Sequence, residues 1–263
     1  MQRLPGRHTK KKDTSMEVTR VALVTGANQG IGLQIAKDLV AHGVTVLVGA
    51  RDLGKGEEAA RDIGVGAHAI QIDVTDQTSI DAAAQRIARE FGRLDILMNN
   101  AGISRARPDQ SFAEAVRTNL LTDAHMADVR TIFETNVFRV LAVTQAMLPL
   151  LREAPTGRIV ITASSGASLT LNSNPDNPHR KMFGTYSVSK TAAHAVMLAL
   201  ALALEGTRIK VNAACPGFTN TALNNFNGTR SVEQGAREPV RLALIGEDGP
   251  SGTFSDENGV VPW

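Results

Sequence analysis

From Val21 onward, short apolar runs alternate with stretches of helical periodicity. Val21-Ala22-Leu23-Val24-Thr25 is continuous, rich in β-branched residues and ended by Gly26, the pattern of a strand buried on both faces. Ile31, Ile35 and Leu39 recur at helical spacing and stop before Gly43, predicting a helix over 31–42. The same reading gives further strands over 44–48, 69–74, 94–98, 158–162 and 209–214. It gives helices over 53–63, 79–91, 127–151, 186–204 and 232–244, and Thr253-Phe254 opens a short edge strand. Strands and helices in this alternation form right-handed βαβ units. The expected fold is therefore α/β: a doubly wound parallel sheet of about seven strands with helices on both faces, in three layers. No repeat or low-complexity linker interrupts residues 19–263, which are expected to form one domain. Ligands of such sheets bind outside the carboxyl ends of the strands, so the loops there should carry the chemistry.

Hydrophobic residues make up 43% of the chain and charged residues 21%, which excludes wholesale disorder, a collagen-like fibre and a coiled-coil rod. Cys215 is the single cysteine, so no intrachain disulfide and no cysteine-cluster metal site is expected. A reducing cytoplasm fits that usage. The net charge of +2 is uneven: Arg3, Arg7, Lys10, Lys11 and Lys12 against Asp13 give residues 1–15 a net +4, leaving the body at −2. Residues 1–18 read as a basic, disordered extension. No amphipathic or aromatic partner accompanies its charges, so neither nucleic acid nor membrane is an expected partner. No apolar run follows them as in a secretory signal, and no transmembrane helix is expected.

Thr25-Gly26-Ala27-Asn28-Gln29-Gly30-Ile31-Gly32 lies between the first strand and the first helix. Glycines there allow a tight turn and let backbone N–H groups approach a pyrophosphate at a helix N-terminus. The spacing Gly-x-x-x-Gly-x-Gly differs from the commoner Gly-x-Gly-x-x-Gly. At the end of the second strand an acid would bind a ribose hydroxyl, but Ala50 stands there, followed by Arg51 and Asp52. A guanidinium suits a 2′-phosphate, which favours NADP(H) over NAD(H). The bland alternative is a surface arginine paired with Asp52 or Glu57. Tyr186 and Lys190 are an i, i+4 pair on one helical face, and an ammonium beside a phenol lowers its pKa. Tyr186 is the only tyrosine. Ser164-Ser165 at the end of the fifth strand offer a hydroxyl to a substrate carbonyl, or simply turn chemistry. Asn136, a poor helix former, sits mid-helix and suggests a local kink. His194 and Cys215 read as structural.

Together these motifs resemble the short-chain dehydrogenase/reductase family, in its compact single-domain, carbonyl-reductase-like branch. The resemblance runs from Thr19 to Trp263 and implies a Rossmann-type sheet. The motifs stand in the family's order: Thr25 to Gly32, Asp73, Asn99-Asn100-Ala101-Gly102, Asn136, Ser165, Tyr186 with Lys190, and Cys215-Pro216-Gly217 through Thr221. The resemblance implies hydride transfer between NADP(H) and an aldehyde, ketone or alcohol, with NAD the less favoured cofactor. It makes Tyr186 the general acid or base and has Lys190 bind the nicotinamide ribose. Ser165 orients the substrate oxygen, with Ser164 the adjacent alternative, and Asn136 holds a water linked to Lys190. Gly26, Asn28, Gln29, Gly30, Ile31, Gly32 and Arg51 would hold the phosphates. Asp73 and Val74 would flank the adenine, and Asn100, Ala101 and Gly102 the adenosine side. Pro216, Gly217, Phe218, Thr219 and Thr221 would line the nicotinamide and phosphate side.

Two stretches depart from the family's commonest form. Twenty residues separate Ser165 from Tyr186, and 103–128 is a lengthened connection. Both are expected near the substrate mouth, where Arg105, Met182, Phe183, Phe218, Leu223 and Phe226 are candidate walls. The helix over 186–204 is apolar nearly all round, which points to a homodimer or homotetramer unless the inserted loop covers it within a monomer. Two other functions fit parts of the sequence: a non-catalytic NADP(H)-binding redox sensor, and a nucleic-acid binder acting through residues 1–15.

Overall fold

The computed structural model describes residues 19–107, 110, 111, 114 and 119–263; the basic extension 1–18 and Pro108 lie outside the described residues. The described strands form one eight-stranded sheet in the order β3-β2-β1-β4-β5-β6-β7-β8. They are β1 (Val21–Thr25), β2 (Thr45–Ala50), β3 (Ala67–Gln71), β4 (Ile96–Asn99), β5 (Arg158–Thr162), β6 (Lys210–Ala214), β7 (Phe254–Asp256) and β8 (Gly259–Val260). All pairings are parallel except β7 with β8. The strand expected at the sheet edge, β7, is thus covered by an antiparallel turn-back, which brings the expected seven strands to eight.

The helices are α1 (Gly30–Ala41), α2 (Leu53–Ile63), α3 (Gln77–Phe91), α4 (Met126–Phe133), α5 (Arg139–Glu153), the short α6 (Leu169–Ser173), α7 (Thr185–Ala203) and α8 (Val232–Ala243). Strand side chains alternate between two cores. Leu23, Ile159 and Ile161 join Ile80 and Ile87 of α3, Met147 and Leu151 of α5, and Met197 of α7. Ala22, Val24 and Val160 join Ile35 and Leu39 of α1, Ala59 of α2, and Val240 and Leu242 of α8. That is why β1 and β5 are apolar without interruption. Local signals fix the helix ends: Asp52 caps α2 by accepting from the Lys55 N–H, Asp76 caps α3, and Gly92 ends α3 at φ +69°. Buried Arg158 closes the far end of α8, donating to the carbonyls of Ile245 and Gly246.

The helix expected over 127–151 is broken. A π-helical turn at Glu134–Phe138 joins α4 to α5, with Asn136 buried inside it. The ion pair between Arg139 and Glu134 (2.7 Å) spans five residues, the repeat of that wider turn. Strand β3 starts and ends earlier than its apolar pattern suggests: its pairing with β2 begins at Ala67 and ends at Gln71 opposite Ala50, where the Ile72 N–H gives the closing bond to the Ala50 carbonyl. By length and composition α7 alone among the described helices could cross a membrane. Here it lies against β6 with Lys190, Ala193 and Met197 buried, while Leu198 and Leu202 stay exposed.

Candidate active site

The strand order reverses between β1 and β4, so the loops at their carboxyl ends open a crevice there. Gly26 (φ +63°) and Gly30 (φ +57°) take the left-handed turn before α1. A Cβ on Gly32 would stand 2.4 Å from both the Gly26 carbonyl oxygen and the Asn100 amide, so only glycine lets the two loops meet. Gln29 gives α1 no side-chain cap, leaving the helix dipole and its first N–H groups to an anion. Thr25 organises the meeting point: its hydroxyl donates to the Met98 carbonyl and accepts from the N–H groups of Asn100 and Ala101. The Asn100 side chain returns two hydrogen bonds, to the Thr25 and Gly26 carbonyls. On the far side Thr221 faces the glycine turn: a Cβ on Gly30 would lie 3.5 Å from its methyl.

At the end of β2, Ala50 is buried and Arg51 exposed. Asp52 is engaged as the α2 cap, and among the described residues Arg51 forms no ion pair. Asp73 turns its carboxylate onto the N–H and hydroxyl of Thr75, and its own N–H onto Ser79. Gly217 (φ +71°) packs on the Arg230 side chain, which is paired with Glu257 at 2.6 Å. Thr219 is tied to the Pro216 carbonyl.

The third wall is α7. Lys190 is buried and donates to the Thr162 carbonyl at 2.8 Å. Burial lowers its pKa to about 8, so the ammonium persists at neutral pH. Asn136 accepts from the Ile103 N–H (2.9 Å) and donates to the Ile103 carbonyl (2.8 Å) and the Ser189 hydroxyl (3.0 Å). It thereby fixes the loop after β4 against α7. Gly102 lies between the two groups: a Cβ there would stand 3.2 Å from Asn136 Oδ1 and 3.4 Å from Lys190 Nζ. Tyr186 keeps some surface exposure as a residue, but its phenol is enclosed. Burial raises the phenol above its ordinary range and the Cys215 thiol adds to this, while a hydrogen bond with Ser164 opposes them.

The family model for short chain dehydrogenases matches residues 20–231 of this sequence. The chain belongs to that family. It is 34% identical to short-chain dehydrogenase/reductase 1 of Saponaria officinalis, across 93% of this chain and 96% of the relative. To the NADPH carbonyl reductase 1 of Sus scrofa it is 31% identical, across 93% and 94%. An NADPH-bound carbonyl reductase from chicken fatty liver superposes with a TM-score of 0.78 at 25% identity, covering 93% of this chain and 94% of that one. The protein is therefore an oxidoreductase of short-chain dehydrogenase type, a family acting on carbonyl and alcohol groups with a nicotinamide cofactor.

The structure brings the short-chain dehydrogenase motifs to one crevice, with differences in detail. The hydroxyl bonded to Tyr186 is that of Ser164, not of Ser165. Ser165 instead enters a 3₁₀ turn, gives its N–H to Cys215, and has no hydroxyl partner among the described residues. Lys190 gives its ammonium to the Thr162 carbonyl, and burial dominates the phenol, holding it above its ordinary range. Arg105, expected to line the substrate pocket, instead donates to the Ala222 and Leu223 carbonyls and to Asn225 Oδ1. Thr25, Thr162 and Ser189 were missed as site residues. They act by hydrogen bonds between distant elements, three of them at the Thr25 hydroxyl, and no local pattern marks Thr162 or Ser189.

Proposed function

We propose that the protein is an NADPH-dependent reductase of aldehydes or ketones, reversible toward the alcohol, with Tyr186 as its general acid. The observation that carries this is the convergence of Tyr186, Lys190, Asn136 and the Ser164-Ser165 pair beside an uncapped, glycine-lined helix N-terminus. The cradle of Gly26, Gly30 and Gly32 fits a dinucleotide, and the exposed Arg51, which has no ion pair among the described residues, fits a 2′-phosphate better than a bare ribose. When bound, the nicotinamide supplies the hydride. Ser165, whose hydroxyl has no partner among the described residues, orients the substrate oxygen. Tyr186 delivers its phenolic proton to that oxygen, and its raised pKa keeps the proton in place at neutral pH. Lys190 holds a positive charge beside the forming alcohol, and Asn136 keeps the β4 loop in register with α7.

Reduced-cofactor oxidation against a carbonyl panel, with NADPH and NADH in parallel, tests the reading. Turnover favouring NADPH is expected, with kcat/KM falling as the pH rises through about 8, where Lys190 loses its charge. Tyr186→Phe is expected to bind NADPH normally and to lose turnover by at least about 1,000-fold. Binding without turnover in the wild type, or full turnover in Tyr186→Phe, would overturn it.

A further inference from the structure

Helix α7 begins behind a glycine. Gly184 is its N-cap and has no side chain to satisfy the first N–H groups. The missing acceptors come from Asn119, in the lengthened connection after β4. Its backbone carbonyl accepts from the Thr185 N–H at 2.8 Å and the Thr185 hydroxyl at 3.2 Å. Its side-chain carbonyl accepts from the Tyr186 N–H at 2.9 Å. The contact is tight, since a Cβ on Gly184 would stand 2.2 Å from the Asn119 carbonyl oxygen. Gly184 has φ −140°, which alanine adopts without strain, so the Asn119 contact is what requires a glycine there.

We propose that Asn119 is a positioning residue for Tyr186, capping α7 from outside and setting where the phenol sits in the crevice. The inference rests on the role given to Tyr186 above. Helix ends fray when their N–H groups lack acceptors, and Tyr186 is the second residue of this one. A displacement of about 1 Å at a reacting group is enough to slow a reaction 100-fold. Asn119 thus ties the segment expected at the substrate mouth to proton transfer without touching substrate itself.

Because Tyr186 is the sole tyrosine, ring-¹³C-tyrosine labelling gives one NMR signal that reports its surroundings independently of activity. In the full-length protein, Asn119→Ala is expected to bind NADPH within about twofold of wild type and to lower kcat about tenfold, with a smaller change in carbonyl KM. Its tyrosine signal should move. Asn119→Asp, which keeps the acceptor, should recover the signal and most of kcat. Gly184→Ala, whose Cβ would meet the Asn119 backbone carbonyl as well as its side chain, should move the same tyrosine signal and lower kcat at least as far as Asn119→Ala, and the double variant should lose no more than Gly184→Ala alone. Should Asn119→Ala fail to fold, Gly184→Ala and Asn119→Asp decide by the same readouts. An unmoved tyrosine signal, losses that add in the double variant, or parallel loss of NADPH binding and kcat would overturn the proposal. If the wild type reduces no carbonyl, the reductase reading falls, while the tyrosine signals still decide the role of Asn119.

Discussion

Ser164 and Ser165 are neighbours with different environments, and the difference has kinetic consequences. Ser164 bonds the phenol and lowers its pKa, whereas Ser165 offers a hydroxyl without a partner among the described residues. Ser165→Ala is expected to reduce kcat about 100-fold. Ser164→Ala should mainly move the titration profile of the phenol itself, read by ultraviolet absorbance, to higher pH, because the phenol loses the bond that opposes its raised pKa. Equal effects of the two substitutions on rate and profile would refute this division. Arg51 is tested by cofactor preference: Arg51→Ala should raise the KM for NADPH about tenfold and leave that for NADH unchanged. At this scale Tyr186, Lys190 and Asn136 were legible in the sequence because each breaks a local expectation. The tyrosine is unique, its lysine sits one turn on, and the asparagine stands where helix formers are preferred. Asn119 was not legible, because its value lies in a contact with residues far along the chain.

Among the elements, α7 carries both Tyr186 with Lys190, the proposed acid and its lysine, and a pH-sensitive seam. His194 is buried on it, against the rings of Phe254 (4.2 Å between centroids) and Trp263 (5.9 Å). Burial, with some repulsion from Lys190, lowers its pKa from 6.5 to about 4. Between those values the unfolded chain binds a proton that the folded protein does not, so stability rises with pH across that window and is lost on acidification. The loss is on the order of 3 kcal/mol. Thermal denaturation followed by the fluorescence of Trp263, the only tryptophan, should show a steep fall in Tm from pH 6.5 to 4, and a flatter one for His194→Leu. Identical slopes would remove His194 from this role. The helices and strands themselves were readable from periodicity and caps, as at α2, where the expected bounds match those observed. The π-helical turn was readable only as a disturbance at Asn136. Its pitch depends on what Asn136 grips, Ile103 and Ser189, and neither is its neighbour in sequence.

Across the whole molecule, the sheet order brings the loops after β1, β4, β5 and β6 together, and a clasp joins two of them. Ser104 and Arg105 hold the Leu223 carbonyl, and Arg105 also holds the Ala222 carbonyl and Asn225. The clasped segment contains Asn225 (φ 52°) and Phe226 (φ 59°), left-handed conformations that bulky residues resist and that surrounding contacts must enforce. Arg105→Ala is expected to speed NADPH release about fivefold in stopped-flow measurements and to sensitise 222–227 to proteolysis. Unaltered release would show that the clasp does not guard the crevice. The doubly wound architecture followed from the alternation of apolar strands with helices. The clasp did not, because it pairs backbone carbonyls whose positions no side-chain pattern encodes.

The lengthened connection is anchored twice, at Ser104 and Arg105 on the β6 loop and at Asn119 on α7. A span fastened at both ends behaves as an exchangeable cassette. Grafts between the two anchors are expected to leave Tyr186, Lys190 and the glycine turn in place, because the hydrogen bonds that seat them come from residues outside the grafted span. Under the proposed function, substrate range and catalytic geometry then become separable traits, open to independent change by grafting or by natural drift.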